Sequence, residues 1–358
     1  MLAVPLISLA AAIGVVLVAA GPHHTGPASP HGSAPSRAAH ARPGVTPQVA
    51  PGAAGGWASS VYLMPLDNNP PTAAAMAGII RATGEKDFLL SFVLDSGGCT
   101  PAWDGNSAQS VTSDPTVAGV ATAIRRAGGD VGVSFGGWNG TELAQTCRGP
   151  RSLAAAYQKV VTTYQVTHLD FSIEHTALGD TATELKRSRA LAILQKKNPG
   201  LTVSLTTPVG TAGLSSRVTG EVQQAVKART QVAVFNLMDF DYGLLSGTQA
   251  ASDETAARTA ASQLATMEHW PLATAWEHLG ITLMNGHSDQ PSELFSQATF
   301  ASLLAFARSN HLARFSFWSL NRDQPCPAGQ PMPWTSGNCS GVPQAPYDFT
   351  KIVARYRG

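Results

Sequence analysis

The chain has 358 residues, a formal charge of +1 and a charged fraction of only 13%. This length suits one large domain with a leader better than a minimal domain. Because lysine and arginine form no run or cluster, the composition argues against a nucleic-acid-binding protein. A surface built largely from Ser, Thr, Gln and Asn suits neutral ligands such as sugars.

Residues 1–20 are almost wholly apolar and end in small residues, which is typical of a secretory signal peptide. No basic residue precedes this run, and about 20 apolar residues are also enough to span a bilayer. An uncleaved membrane anchor, or a start site that omits the basic region, are therefore alternatives. All three place the rest of the chain outside the cytoplasm, so we expect a secreted protein or one anchored outside the membrane.

Residues 21–56 are rich in Pro, Ala, Gly and His and show no apolar period, which predicts a disordered linker. Its histidines are irregularly spaced in a flexible segment, so we assign them no metal and expect the chain to need no cofactor. These histidines are His23, His24, His31 and His40.

Residues 57–358 alternate strand-like runs with helical patterns, which predicts a parallel sheet covered by helices. Closure at eight strands gives an α/β fold, the (β/α)8 TIM barrel. An open doubly wound sheet is the alternative, but the SFGGWNG segment lacks the G-x-G-x-x-G spacing of its phosphate loop. The predicted strands are 61–65, 87–96, 130–137, 168–174, 201–209, 232–242, 280–286 and 313–321.

Four cysteines without a CxxC pair predict two disulfides rather than a zinc site in an exported chain. Three pairings are open. We favour Cys326–Cys339, which closes a short loop, and Cys99–Cys147, which joins the ends of neighbouring strands.

The fourth strand-like run, HLDFSIE, carries polar residues at every second position. Because side chains alternate across a strand, Asp170, Ser172 and Glu174 share the face that points into the barrel. Carboxylates buried there cost free energy unless they are paired or used. We interpret them as catalytic, with a structural hydrogen-bond network as the alternative. Glu174 is nearest the loops, and we expect burial to raise its pKa and keep it protonated for general-acid work.

Four segments carry a family resemblance: DFSIE at 170–174, VSFGGWNGTELA, FNLMDFDYG and FWSLNRD. In this order they resemble the D-x-D-x-E strand, the S-x-G-G segment, the methionine-containing strand and the final tryptophan-bearing strand of glycoside hydrolase family 18 chitinases. The resemblance covers almost the whole barrel, and the closest likeness is to actinobacterial single-domain secreted chitinases. It implies hydrolysis of chitin or related N-acetylglucosamine polymers.

In that family catalysis is substrate-assisted. The resemblance implies that Glu174 protonates the glycosidic oxygen, that the acetamido carbonyl attacks the anomeric carbon, and that water opens the oxazolinium ion with retention. Ser172 stands where the family has the aspartate that holds the acetamido N–H, and loss of such a partner costs about 10²–10³ in rate. Asp170 lies roughly 13 Å along the strand from Glu174, so we expect it to form structural hydrogen bonds.

On the sixth strand, many family members have a tyrosine two residues after the methionine. From Met238 that count reaches Phe240, for which ordinary core packing is the simpler interpretation. Asp241 and Tyr242 follow, and either is a candidate to replace the missing hydroxyl. Trp318 on the eighth strand is expected to stack on a sugar ring.

Other residues near strand ends are weaker candidates. Asn285 and Asp289 are expected to flank the mouth of the site, and Trp103 and Trp138 either extend the groove or pack in the core. His175 replaces the family's usual glycine, and two effects are open: it tunes Glu174 or obstructs the site.

Two functions compete at this stage. An active hydrolase of N-acetylglucosamine polymers is favoured by Glu174 and Trp318, whereas a carbohydrate-binding protein without turnover is favoured by Ser172 and Phe240. An unrelated hydrolase with two carboxylates is poorly supported, because no second acid lies two residues from Glu174. We expect chitin or N-acetylglucosamine oligosaccharides as partners and a monomeric protein.

Overall fold

The structure is a computed structural model, and it describes residues 57–244, 247–329 and 336–358. The predicted leader at 1–20, the predicted linker at 21–56 and the histidines within it lie outside the described residues. The boundaries of these segments therefore stay predictions.

Eight parallel strands form a closed barrel, in which the first strand pairs with both the second and the last. This confirms the predicted (β/α)8 architecture. The barrel strands are β1 Ser59–Leu63, β2 Asp87–Asp95, β3 Asp130–Gly136, β4 His168–Ser172, β5 Thr202–Pro208, β6 Val234–Met238, β7 Leu279–Met284 and β8 Arg314–Trp318.

Every barrel strand ends earlier than the sequence predicts, and the difference matters most for the site after the fourth and sixth strands. The fourth run was expected to reach residue 174 and the sixth residue 242, but β4 ends at Ser172 and β6 at Met238. Beyond these ends His175 has φ 45° and Asp241 has φ 63°, and a left-handed backbone cannot continue an extended strand. At the mouth of the barrel, Glu174 is therefore the last extended residue before the turn at His175, and Asp241 lies on the turn after β6.

Helices follow the strands and cover the barrel. Their starts carry capping side chains: Asp114 accepts from the N–H groups of Thr116 and Val117 at the start of α2. The longer helices are α1 Ala73–Thr83, α2 Pro115–Arg126, α3 Pro150–Tyr164, α4 Thr181–Lys197, α5 Ser216–Ala228, α6 Gln249–Glu268 and α7 Gln297–Asn310, with α8 Asp348–Val353 near the end of the described chain.

Short strands and helices lie at the mouth of the barrel and in its outer helical layer. A strand at Pro101–Trp103 runs antiparallel to β2, and Gly286–His287 pairs with Leu294–Phe295 in a small hairpin after β7. Short helices span Leu143–Thr146 and Leu272–Glu277. The hairpin is important for the site because it brings polar side chains to the end of β6.

Two layers of packing hold the barrel. On the outer side of β4, Phe171 stacks on Phe135 with ring centroids 5.1 Å apart, and Tyr157 of α3 meets both rings edge-on. Under the barrel, the ring of Trp57 stacks on His168 at 4.6 Å. Burial, followed by the charge of Arg314, lowers the pKa of His168 far below its usual value, so the imidazole is neutral.

Both disulfides have the pairing favoured from the sequence. Cys99 and Cys147 join the loops after β2 and β3, with Cα atoms 4.6 Å apart. Cys326 and Cys339 close a short loop after β8, with Cα atoms 5.1 Å apart. The first bond ties together two loops on the same end of the barrel as Glu174.

Along residues 57–244, 247–329 and 336–358, none of the helices is both long and apolar enough to cross a bilayer. The same ranges hold no cluster of three or more His, Cys, Asp or Glu side chains arranged around a metal position.

Candidate active site

A cavity of about 150 Å³ opens where the barrel strands end. Aromatic rings, methionine side chains and hydroxyl groups form most of its wall, and three carboxyl groups reach it from the loops after β4, β6 and β7. The carboxyl groups belong to Glu174, Asp241 and Asp289. In TIM barrels this end of the strands is where chemistry takes place.

Glu174 lies two residues after the end of β4, and between them the N–H of Ile173 continues the strand ladder by donating to the Thr206 carbonyl at 2.8 Å. Its carboxyl group lines the cavity and accepts a hydrogen bond of 2.7 Å from the Ser172 hydroxyl. Burial raises the pKa of Glu174 to about 7; the bond from Ser172 opposes this shift, and the negative charges of Asp241 and Asp170 add to it. Near neutral pH the group can therefore give and take a proton.

Asp170 lies deeper in the barrel than Glu174 and is fully buried. Its carboxylate accepts bonds from Tyr62 at 3.0 Å, Ser134 at 2.7 Å and Thr206 at 2.7 Å, and a fourth from Ser204. The Arg314 guanidinium lies 3.7 Å from the same carboxylate. Both oxygens are thus satisfied within the protein, and Asp170 is not among the residues that line the cavity.

Ser172 is buried between Glu174 and β6. Its hydroxyl donates to Glu174, and the sulfur of Met238 lies 4.0 Å from the same oxygen. Phe240 packs against the hydrophobic core, as interpreted from the sequence, and it also lines the cavity. It contributes an apolar ring where a tyrosine would contribute a hydroxyl.

Of the two residues that follow Phe240 and were candidates for substrate contact, only Asp241 lines the cavity. Burial raises the pKa of Asp241 to about 6, whereas the nearby hydroxyl of Ser288 opposes this shift. Tyr242 points away: its hydroxyl donates to Asp253 on α6, and it is not a lining residue. The expectation that Tyr242 contacts substrate is therefore wrong for this structure, because one step along the turn reverses the side-chain direction.

Trp318 forms an aromatic wall with side chains from the first two strands. Its ring stacks on Phe92 with centroids 5.3 Å apart and a 12° angle, and it meets Tyr62 at 5.9 Å. Tyr62 alternates inward on β1 and could have been found by strand parity. Phe92 could not, because the pairing register between β2 and β3 shifts between Leu90 and Val93.

Asn285 and Asp289 differ in what they do. Asn285 is fully buried rather than at the mouth; its side-chain oxygen accepts from the Ser319 N–H at 3.1 Å, and its own N–H donates to the Trp318 carbonyl at 3.2 Å. The prediction that it flanks the mouth is wrong, since it braces the backbone around Trp318 instead. Asp289 does line the cavity.

The two loop tryptophans lie in different environments, one in the core and the other at the cavity. Trp103 is fully buried and donates to the Tyr164 hydroxyl at 2.9 Å, so it packs in the core. Trp138 is 64% exposed and lines the cavity. The ring of His175 lies 4.9 Å from the Trp138 ring and is exposed at the rim. His175 is not itself a lining residue.

Glu293, which was not identified from the sequence, holds the turn after β6. This buried carboxylate accepts from the N–H groups of Asp241 at 2.7 Å, Tyr242 at 3.1 Å and Gly243 at 2.9 Å. It also accepts from the Ser288 hydroxyl at 2.7 Å. Because most of these partners are backbone atoms about 50 positions away, no side-chain pattern could have identified it.

No protein-family model matches the chain. Among curated proteins, it is 26% identical over 286 residues to the probable bifunctional chitinase/lysozyme of Escherichia coli K12, which covers 75% of this chain and 31% of that protein. It is 25% identical over 284 residues to Endochitinase 11 of Metarhizium anisopliae, covering 75% and 53%. The chain thus spans less than two thirds of the length of these relatives.

Among solved structures, the barrel is similar to the catalytic domain of a hyperthermophilic chitinase from Pyrococcus furiosus. The TM-score is 0.72 at 27% identity, with 83% of this chain and 93% of that chain covered. Fold, cavity and relatives together define the class of chitinase-like glycoside hydrolases. Within that class, the two curated relatives and the Pyrococcus structure are named as chitinases.

Proposed function

We propose that this chain hydrolyses β-1,4 linkages in chitin or related N-acetylglucosamine polymers, with Glu174 as general acid and then general base. The observation that carries the proposal is a carboxyl group with a pKa of about 7 in an open cavity walled by Trp318, Phe92 and Tyr62. An aromatic wall suits the apolar C–H face of a sugar ring, and a pKa near neutrality suits proton transfer in both directions.

The reaction follows the substrate-assisted route. Glu174 gives its proton to the glycosidic oxygen while the acetamido carbonyl oxygen of the same sugar attacks the anomeric carbon. The C–O bond to the leaving sugar breaks, and an oxazolinium ion forms beside the Glu174 carboxylate. Water then attacks the anomeric carbon and gives a proton to Glu174, while the bond from this carbon to the acetamido oxygen breaks and restores the neutral acetamide. The acid is regenerated, and the two displacements together retain the β-configuration.

Ser172 limits how well the cavity stabilises this intermediate. A hydroxyl has one proton and two lone pairs, so Ser172 can accept the acetamido N–H while it donates to Glu174 at 2.7 Å. This relay orients the acetamido group but adds no negative charge beside the cationic ring. We expect turnover that is slower than an aspartate at this position would support.

Asp241 can supply the negative charge that Ser172 does not place beside the cationic oxazolinium ring. It lines the same cavity as Glu174 and is close enough to raise the pKa of Glu174. With its own pKa at about 6, it is ionised at neutral pH. We assign to it the electrostatic part of the role that Ser172 cannot fill.

The pH dependence follows from the two carboxyl groups. Because Glu174 must be protonated to act as an acid and has a pKa of about 7, kcat/KM should fall about tenfold per pH unit above neutrality. Replacing Asp241 by Asn removes a charge that raises the pKa of Glu174, so the alkaline limb should move to lower pH. Initial rates on chitohexaose between pH 4 and 9 measure both effects. If the alkaline limb of the profile is at the same pH in Asp241→Asn as in the unmodified chain, the Asp241 charge does not influence the pKa of Glu174.

A carbohydrate-binding protein without turnover is the second candidate, favoured by Ser172 and Phe240. Incubating the full chain with chitohexaose and following products by mass spectrometry, with affinity measured in parallel, separates the two. Cleavage to shorter oligosaccharides supports the hydrolase. Binding without products above those of Glu174→Gln would leave only the binding protein.

We further propose that residues 1–20 direct export, that residues 21–56 link them to the barrel, and that residues 57–358 form the hydrolytic domain. The chain would then act outside the cytoplasm on chitin or N-acetylglucosamine oligosaccharides, free or anchored through its N-terminal segment. We also propose that it acts as a monomer.

A further inference from the structure

The loop of the small hairpin after β7 carries a buried carboxylate aimed at the backbone of a different loop. Oε1 of Glu293 accepts from Tyr242 at 3.1 Å and from Gly243 at 2.9 Å. Oε2 accepts from Asp241 at 2.7 Å and from the Ser288 hydroxyl at 2.7 Å. Three successive N–H groups thus converge on one side chain, as they do around a bound anion in a backbone nest.

This convergence matters because the turn has an unfavourable conformation. Asp241 has φ 63°, in the left-handed region that residues other than glycine seldom adopt, and Gly243 follows with φ 77°. Successive N–H groups can point to one side only when the backbone is curled in this way. The carboxylate of Glu293, which is fully buried, is the group that satisfies the three N–H groups of this partly buried turn.

The same hairpin loop also holds the side chain of Asp241. The N–H of Asp289 donates to Oδ1 of Asp241 at 2.9 Å. Backbone and carboxylate of Asp241 are therefore fixed from one segment, residues 286–295, and the result is that its carboxylate faces the cavity shared with Glu174. On the other side of the turn lie Asp239 and Asp253, which interact electrostatically with Glu293.

We propose that Glu293 is a positioning residue: it locks the turn at 241–243 so that the Asp241 carboxylate stays beside Glu174 during the reaction. The inference rests on the proposed function, because it assigns Glu293 a part in that reaction. It predicts that an uncharged side chain of the same shape at this position releases Asp241 from the cavity.

Glutamine is a sharp probe of this arrangement. Each carboxylate oxygen of Glu293 accepts from two donors. In Glu293→Gln only one oxygen remains, and the new amide NH₂ group must face two further donors. A control is available in Glu85, a fully buried glutamate just before β2, on the opposite end of the barrel from the cavity. Its three donors, the Lys86 N–H, the Asp87 N–H and the Ser59 hydroxyl, all bind Oε1, so a glutamine at this position can keep them.

The experiment compares Glu293→Gln and Glu85→Gln with the unmodified full chain, with Ser288→Ala as a milder variant should the first fail to fold. We expect Glu293→Gln to lower Tm and also kcat/KM, the latter by up to about 100-fold. Glu85→Gln, which can keep its three bonds on the remaining oxygen, should leave kcat/KM unchanged. The alkaline limb of the Glu293→Gln pH profile should also move to lower pH, as in Asp241→Asn, and Ser288→Ala should show a smaller change of the same kind. If Glu293→Gln has the same kcat/KM and the same pH profile as Glu85→Gln, the proposal is overturned.

Amide hydrogen exchange separates this inference from the proposed function. In the unmodified chain the N–H groups of Asp241, Tyr242 and Gly243 should exchange slowly, and in Glu293→Gln at least tenfold faster. Absence of hydrolysis by the unmodified chain would defeat the proposed function alone, and the exchange rates would still decide whether Glu293 locks the turn. Unchanged exchange in Glu293→Gln would contradict the lock whatever the activity.

Discussion

Replacing Glu174 by Gln should lower kcat on chito-oligosaccharides by about 10²–10⁴-fold, the usual contribution of a general acid. The amide keeps the shape of the side chain and can still accept from Ser172, but it has no proton of suitable acidity for the glycosidic oxygen. Affinity for chitohexaose should change little, because the aromatic wall formed by Trp318, Phe92 and Tyr62 is untouched. Steady-state kinetics and calorimetric titration with the oligosaccharide measure the two quantities.

Asp289→Asn is the matched control for this variant. It makes the same carboxyl-to-amide change in the same cavity, at a residue that is exposed at the rim. We expect a much smaller loss of kcat, because Asp289 is not placed to protonate the leaving group. Equal losses in the two variants would show that the charge of the cavity, rather than the Glu174 proton, limits the rate.

Replacing Ser172 by Asp should raise kcat by about 10²–10³-fold, the effect expected from one preorganised electrostatic partner. The new carboxylate would lie beside Glu174, where Ser172 now donates at 2.7 Å. It can accept the acetamido N–H and also balance the positive charge of the oxazolinium ring. A like charge at this distance also raises the pKa of Glu174, so the alkaline limb of the pH profile should move upward.

Ser172→Asn separates charge from hydrogen bonding. Asparagine has nearly the shape of aspartate and can accept the acetamido N–H, but it adds no charge. We expect it to give no gain over serine. If the Asn and Asp variants have the same kcat, the missing charge is not what limits this chain. If only the Asp variant turns over substrate, the natural protein is the binding protein of the second candidate function.

Much of the fold and part of the site could be read from the sequence. Every barrel strand was found because buried parallel strands and amphipathic helices leave periodic patterns, and strand parity brought Asp170, Ser172 and Glu174 to the inner face. The two favoured cysteine pairs also form in the structure. These features are local, or they depend on the order of elements along the chain.

The side chains beyond the strand ends were harder to predict. Parity fails once the backbone turns, so Tyr242 points to Asp253 instead of the cavity, and Asn285 braces the backbone at Ser319. Glu293 left no signal at all, because its partners are main-chain N–H groups of a distant turn. Contacts of this kind depend on the three-dimensional course of loops, which hydrophobic periodicity does not record.

The most direct test of substrate assistance is the anomeric configuration of the first products, followed by proton NMR as the full chain cleaves chitohexaose. If the acetamido group of the substrate is the nucleophile and Glu174 serves as acid and then base, the newly formed reducing ends appear first as the β-anomer and later mutarotate. Initial release of the α-anomer would mean direct attack by water and would contradict the account.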